Sequence, residues 1–245
     1  MQLNADFTQP ASARPEDTDW VASPMPGVDR CMLDRLGHDG ARATSIVRYA
    51  PGSAFSPHIH HGGEEFLVLE GVFQDEHGDY PPGTYVRNPP TSRHTPGAEE
   101  GCVIFVKLGQ FALADRTFAR ISTDKIGALP DPQRQGVTVT PLYKDAREDV
   151  QMEFCEPGAS FELCASGGVE VLVVEGDLTC NGAPEDDCNG RYGRHGWIRL
   201  PAGQTAQLTA GEQGAKLWVK RGHLTEAVLQ DSAFTHLEAA RKAER

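Results

Sequence analysis

Two stretches of this chain repeat one pattern. PGSAFSPHIHHGGEEFLVLEG, starting at Pro51, is answered by PGASFELCASGGVEVLVVEG, starting at Pro157. Downstream, YVRNPPT from Tyr85 is answered by WIRLPAG from Trp197, and GCVIFVKLGQF from Gly101 by GAKLWVKRGHL from Gly214. Self-similarity in the same order along one chain points to a duplicated structural unit. Whatever fold the first copy adopts, the second is expected to adopt too.

The runs inside each copy are short. ATSIVRYA, EEFLVLE, GVFQDE, GTYVRN and CVIFVKL are each bounded by Gly, Pro or Asp clusters. Short β-prone runs at spacings of about ten residues indicate an antiparallel sandwich or barrel rather than βαβ units. The expected class is therefore all-β.

Four side chains of the first copy carry chemistry: His58, His60, Glu64 and His94. Alternate residues of a strand share a face, so His58 and His60 can aim into one cavity. Gly62 and Gly63 then allow a sharp bend before Glu64. Imidazole nitrogen with carboxylate oxygen suits one divalent transition metal (Zn, Fe, Mn or Ni) and not the all-oxygen preference of Ca or Mg. His61 has the wrong parity to join the pair and is expected to be exposed. Around the ion, Phe55, Phe66, Val68 and Phe105 are expected to form a dry wall.

These residues also resemble a family. Gly52, His58, His60, Glu64 and Gly71 follow the first motif of the cupin superfamily, and Gly83, Pro89 and His94 its second, with Thr91 standing where the pattern has glycine. Asp19 to Phe111 look most similar to the ChrR-type cupin, through HIHHGGEE, LEGVFQDEHGDYPPGTYVRNPP and GCVIFVKL. The resemblance implies a double-stranded β-helix (cupin jelly-roll), here duplicated as a bicupin, with a metal in the N-terminal barrel.

The second copy serves as a control for the first. His58 and His60 fall opposite Cys164 and Ser166 if one residue is deleted before Gly167; Glu64 falls opposite Val169, and His94 opposite Ala206. All four ligands are missing, so the second barrel is expected to be metal-free. Glu65 persists as Glu170, Arg87 as Arg199 and Lys107 as Lys220, which marks them as framework. Arg48 and Tyr85 differ between copies (Phe154, Trp197) and are the candidates for a catalytic or substrate-holding role.

The expected division is a flexible arm over 1–16, a metal-binding cupin over 17–112, a linker over 113–137, a cupin without ligands over 138–223, and a helix over 224–245. In that tail Leu229, Phe234 and Leu237 fall at helical spacing, with Arg241, Lys242 and Arg245 where a helix C-terminus favours cations.

A net charge of −12 disfavours a nucleic-acid partner. No apolar run approaches the roughly 20 residues of a membrane span, and the N-terminus has neither the basic start nor the apolar core of a secretory signal. Six cysteines without such a signal read as reduced thiols in a cytoplasmic protein, although Cys180 and Cys188 flank a hairpin tip and could approach each other. The expected partners are a small-molecule ligand or substrate and a second copy in a homodimer, with neither nucleic acid nor membrane.

Three functions fit. The first is a metal-dependent dioxygenase acting on a small oxygen-chelating substrate such as a diketone, since related single-barrel cupins cleave β-diketones with Fe(II). The second is a ChrR-like sensor or regulatory module related to anti-sigma factors. The zinc-binding helical domain with a CxxC pair that those factors carry has no counterpart before Trp20. The third is a closed structural zinc site.

Overall fold

The computed structural model describes residues 1–37, 41–164, 166–182 and 188–243, and consists of two β-rich units followed by a short helical tail. The first unit is built from Met1–Ala5, Asp19–Ser122 and Ala227–Arg245, the second from Asp6–Thr18 and Thr123–Glu226. Each folds as an antiparallel jelly-roll.

In the first unit one sheet runs in the order Gln2–Leu3, Val28–Leu36, Arg42–Tyr49, Cys102–Leu108, Glu64–Gly71, Thr84–Asn88, Ala119–Ser122. The facing layer holds the His58–His60 and Ser92–His94 ribbon and the short strands around Phe73–Asp75. Side chains alternate as a strand requires. Val47, Tyr49, Phe66, Val68, Val86, Ile104 and Val106 form the core cluster, while Glu65, Arg87 and Lys107 lie side by side across three strands on the other face.

The second unit repeats this order with Leu129–Pro130, Val137–Lys144, Asp149–Cys155, Thr205–Arg221, Val169–Asn181, Trp197–Leu200 and Ala11–Ala13. Glu170 is flanked by Arg199 and Lys220 in the same register. Glu65 accepts a hydrogen bond from the Tyr85 hydroxyl at 2.7 Å, and Glu170 accepts one from Trp197 Nε1 at 2.7 Å. This is the framework role expected for both glutamates. A buried carboxylate in such a place needs donors, and each copy supplies an aromatic one.

Several expectations change. Residues 1–16 are not a loose arm: Gln2–Leu3 pairs with Arg35 and Leu36, and Ala11–Ala13 pairs with Trp197–Arg199. Strand-edge pairing uses backbone groups, so a polar sequence can join a sheet without an apolar signature. Likewise Ala119–Ser122, inside the expected linker, pairs with Thr84–Arg87. The tail forms two helices, Glu226–Gln230 and Ala233–Ala243. The break falls where Ser232 accepts the Thr235 amide. Phe234 is buried, and its amide and that of Ala233 donate to Gly109 and Phe111 of the first unit. Arg245 lies outside the described residues.

Cys180 and Cys188 are buried free thiols, as are Cys31, Cys102 and Cys155, and Cys164 is an exposed one. The hairpin tip between Cys180 and Cys188 falls largely outside the described residues, over 183–187. Among the described residues no helix is long and apolar enough to cross a membrane.

Candidate metal centre

His58, Ile59 and His60 form a three-residue strand in which the histidines turn inward and Ile59 is half exposed. The chain then bends at Gly63, whose φ is +77°. A side chain at Gly62 would meet Gly109 Cα at 2.7 Å, so only glycine lets the bend sit this close to the next strand. The bend delivers Glu64 to the first inward position of the strand Glu64–Gly71.

His94 arrives from the antiparallel partner, with His94 opposite His58 and Ser92 opposite His60. The turn before it places Thr91 at φ +74°, the left-handed conformation usually given to glycine. Thr91 keeps that geometry by donating its amide to the His60 carbonyl at 2.9 Å.

The ligand nitrogens of His58, His60 and His94 all lie within 4.8 Å of one another. His60 Nε2 and His94 Nε2 are 2.8 Å apart. Glu64 Oε2 is 3.3 Å from His60 Nε2 and 3.5 Å from His94 Nε2. The donor set fits a metal: three imidazoles close together could bind one ion, and bond lengths of about 2.0–2.1 Å to nitrogen give neighbouring ligands separations in this range.

Neighbours fix how each ring is presented. His58 Nδ1 donates to the Ser56 carbonyl at 2.9 Å, and His94 Nδ1 donates to Asp75 Oδ2 at 3.1 Å. With Nδ1 holding the proton, Nε2 of each ring carries the lone pair a metal needs. Asp75 is itself held by the Tyr80 hydroxyl at 2.9 Å. Asn88 Nδ2 donates to Glu64 Oε2 at 3.0 Å and steers that carboxylate.

Electrostatics differ among His60, His94 and Glu64. Burial is the largest influence on His60 and pushes its pKa down to about 4. Burial opposes charge on His94 as well, but the hydrogen bond to Asp75 and the charges of Glu64 and Asp75 raise it overall. Burial likewise works against the Glu64 carboxylate, yet the neighbouring histidines and Asn88 hold its pKa below the ordinary value.

A cavity of about 720 Å³ opens onto His58, His60 and Glu64. Phe55 lines it as expected, whereas Phe66 and Val68 belong to the core cluster beneath it. Phe105 does not face it: it pairs with Leu67 and Ile46 on the opposite face, and Ile104 and Val106 line the cavity instead. CVIFVKL is apolar on both faces, so its inward parity could not be read from composition. His61 is exposed at the cavity rim.

Neither candidate catalytic residue reaches the site. Arg48 is a surface residue paired with Asp29 at 2.8 Å and stacked over Trp20. Tyr85 is buried on the outward parity, bonded to Glu65. Sequence reasoning missed Asn88 and Asp75, although a signal existed. Asn88 answers Leu200, and the register pairs Asn88 with Glu64 and Leu200 with Val169. The polar pair in one copy is an apolar pair in the other.

The second unit also corrects the alignment of the copies. Leu163 lies opposite Ala206 as His58 lies opposite His94. Gly167 approaches Gly222 at 2.7 Å just as Gly62 approaches Gly109. His58 therefore corresponds to Leu163 rather than Cys164, and His60 to Ala165, which lies outside the described residues. Cys164 takes the exposed place of Ile59, so it does not centre a replacement site.

Comparison with known proteins agrees with this fold. The family model described as the ChrR Cupin-like domain matches residues 8–112. No curated protein matches the chain. Among solved structures, a candidate dioxygenase from Nostoc punctiforme aligns with TM-score 0.66 at 16% identity, covering 90% of this chain and 86% of that one. Ylba from E. coli gives 0.63 at 16% identity, covering 88% and 91%. A Cupin 2 conserved barrel domain protein from Leptotrichia buccalis gives 0.56 at 11% identity, covering 82% and 92%. The chain is thus a protein of cupin fold whose residues 8–112 match the ChrR cupin-like domain.

Proposed function

We propose that the chain is a bicupin whose first barrel holds one divalent transition metal through His58, His60, His94 and Glu64, and whose second barrel is metal-free. We further propose that it acts as a mononuclear metal-dependent dioxygenase on a small oxygen-chelating molecule such as a diketone. The observation that carries this reading is the convergence of three imidazoles, His58, His60 and His94, beside a cavity of small-molecule size whose wall includes His58, His60 and Glu64.

A redox-active ion in this ring would supply a common site for a chelating substrate and O2. The protein's own part is to place and protect. Asp75 and the Ser56 carbonyl hold protons on Nδ1 of His94 and His58, and Asn88 orients Glu64. Met25, Phe55, Ile104 and Val106 give the cavity an apolar wall. Tyr49 also lines it; burial first, then the charge of Glu64, raises its pKa well above the ordinary value, so its hydroxyl keeps its proton. The ChrR-like sequence match supports a second reading, a metal-dependent sensor module. A closed zinc site that only braces the barrel is a third.

The test begins with elemental analysis of protein purified without added metal. Oxygen uptake by the Fe(II)-loaded protein against a panel of diketones follows. Uptake lost in His60→Ala and His94→Ala supports the enzyme. A flat trace with every diketone removes the dioxygenase, and protein without any transition metal removes the metal centre.

A further inference from the structure

The cavity beside the histidines reverses the charge of the molecule around it. The chain carries a net −12, yet among the described residues the cavity is lined by two arginines, Arg30 and Arg35, and by one acidic side chain, Glu64. Glu64 is already committed to Asn88 and the histidines. Arg35 has partners of its own. Arg30 differs: its Nε is buried and has no hydrogen-bond partner among the described residues.

The backbone explains why Arg30 points inward. It sits on Val28–Leu36 opposite Val47, and both Val47 and Val28, two residues before it, belong to the core cluster. Strand parity therefore turns Arg30 to the apolar side. A guanidinium stays charged at any physiological pH, and a buried donor without a partner is costly. Arg42 and Arg87 also have a buried Nε without a partner, but each is held elsewhere, Arg87 through Nη1 and Nη2 to Glu65 and Asp115; Arg48 is paired with Asp29 and Arg120 with Asn88.

We propose that Arg30 is the anion-recognition residue of this cavity, and that the ligand is a small, mostly apolar carboxylate. Its carboxylate meets the planar guanidinium fork, and its carbon body lies against Met25, Val47, Phe55, Ile104 and Val106. This deepens the proposed function by naming the charge of the substrate. It rests on that reading only in taking the cavity as the substrate site, because binding at Arg30 needs no metal.

Calorimetric titration with two matched probe pairs tests it. Hexanoate against hexanamide carries no chelating group; 4,6-dioxoheptanoate against its methyl ester carries one. The expected result on the full chain is tighter binding of each acid than of its neutral partner by at least about tenfold, which is about 1.4 kcal/mol. Arg30→Gln should remove that preference and Arg30→Lys should keep part of it. Arg35→Gln should leave it within about threefold. Unchanged melting temperature and metal content in Arg30→Gln would show that the fold survives, and if that variant does not fold, the Lys variant carries the test. Equal binding of hexanoate and hexanamide to the unsubstituted protein, or a preference that persists in Arg30→Gln, overturns the proposal. Repeating the hexanoate pair on His60→Ala/His94→Ala separates the two readings. A preference retained there keeps the Arg30 assignment even if the metal centre falls.

Discussion

Glu64 and Asn88 in the first unit occupy the register that Val169 and Leu200 occupy in the second. Exchanging the polar pair for the apolar one should therefore be tolerated as a pair and penalised singly. Asn88→Leu removes a donor to a buried carboxylate, a bond worth about 1.5–3 kcal/mol. It also removes the acceptor for Arg120 Nη2 at 2.8 Å, a half-buried contact worth about 1 kcal/mol. A loss of about 2.5–4 kcal/mol is expected. Glu64→Val leaves the Asn88 amide without that acceptor, at about 1–3 kcal/mol. In Glu64→Val/Asn88→Leu both desolvation penalties vanish together, so the double variant should be more stable than the sum of the singles by about 1.5–3 kcal/mol. Chelator-treated protein is the right material, because metal binding would add its own free energy to the native state. Two units need not unfold together, so the readout should be local: hydrogen exchange of the peptides over Glu64–Gly71 and Thr84–Asn88. Additivity within about 0.5 kcal/mol would refute the argument that these residues form one coupled pair.

Other predictions address the ring of ligands and the turn beside it. Asp75→Ala should weaken metal affinity about 10–100-fold at pH 8, measured by competition with a chelating dye, because His94 loses the group that fixes its ring. In the unsubstituted protein, metal retention should start to fall above the ordinary histidine midpoint as pH drops, since His94 has a raised pKa and must shed its proton to bind; Asp75→Ala should move that fall to lower pH. In the metal-free protein His60, depressed to about 4 from 6.5, stabilises the fold above 6.5 and loses that contribution as pH falls toward 4, because the unfolded chain binds the proton first. His94 acts in the opposite sense: its contribution is complete below 6.5 and fades as pH rises through its native value. Urea unfolding of His60→Ala and His94→Ala between pH 4 and 8 should therefore show opposite changes in slope. At the turn, Thr91→Gly should stabilise by up to about 1 kcal/mol and Gly203→Thr should destabilise by about 1–2 kcal/mol, since both positions have positive φ; thermal melts would decide, and a destabilised Thr91→Gly would count against strain at that residue.

That His58, His60 and Glu64 come together was legible because their spacing is local, and His94 was found by its motif. Two histidines two apart, a glycine bend and a following glutamate make one sequence phrase, and strand parity selects Glu64 over Glu65. The groups beside them were harder to read: Asn88 left only its contrast with Leu200, since the sheet register alone brings it to Glu64, and Asp75 left no mark, since only the opposite layer brings it to His94. Phe105 was misassigned since its strand is buried on both faces, so its parity leaves no mark. The pairing of Ala11–Ala13 and Ala119–Ser122 was hidden because edge strands bond through backbone that every residue carries. Arg30 gave no sign, standing alone in GVDRCMLDRLG; its place became visible only from its neighbour Val47.

The chain ends are exchanged between the two units: residues 6–18 complete the second, and the helix Ala233–Ala243 completes the first. Cutting the gene at the midpoint near Ser122 would therefore not liberate two self-sufficient barrels. The front fragment would keep a strand whose sheet is gone, and the rear fragment would trail a helix with nothing beneath it. Each product would expose what the other needs, so the fragments should fold poorly alone and reconstitute when mixed, and any minimal version of the first barrel would have to be built by grafting the tail helix back onto it.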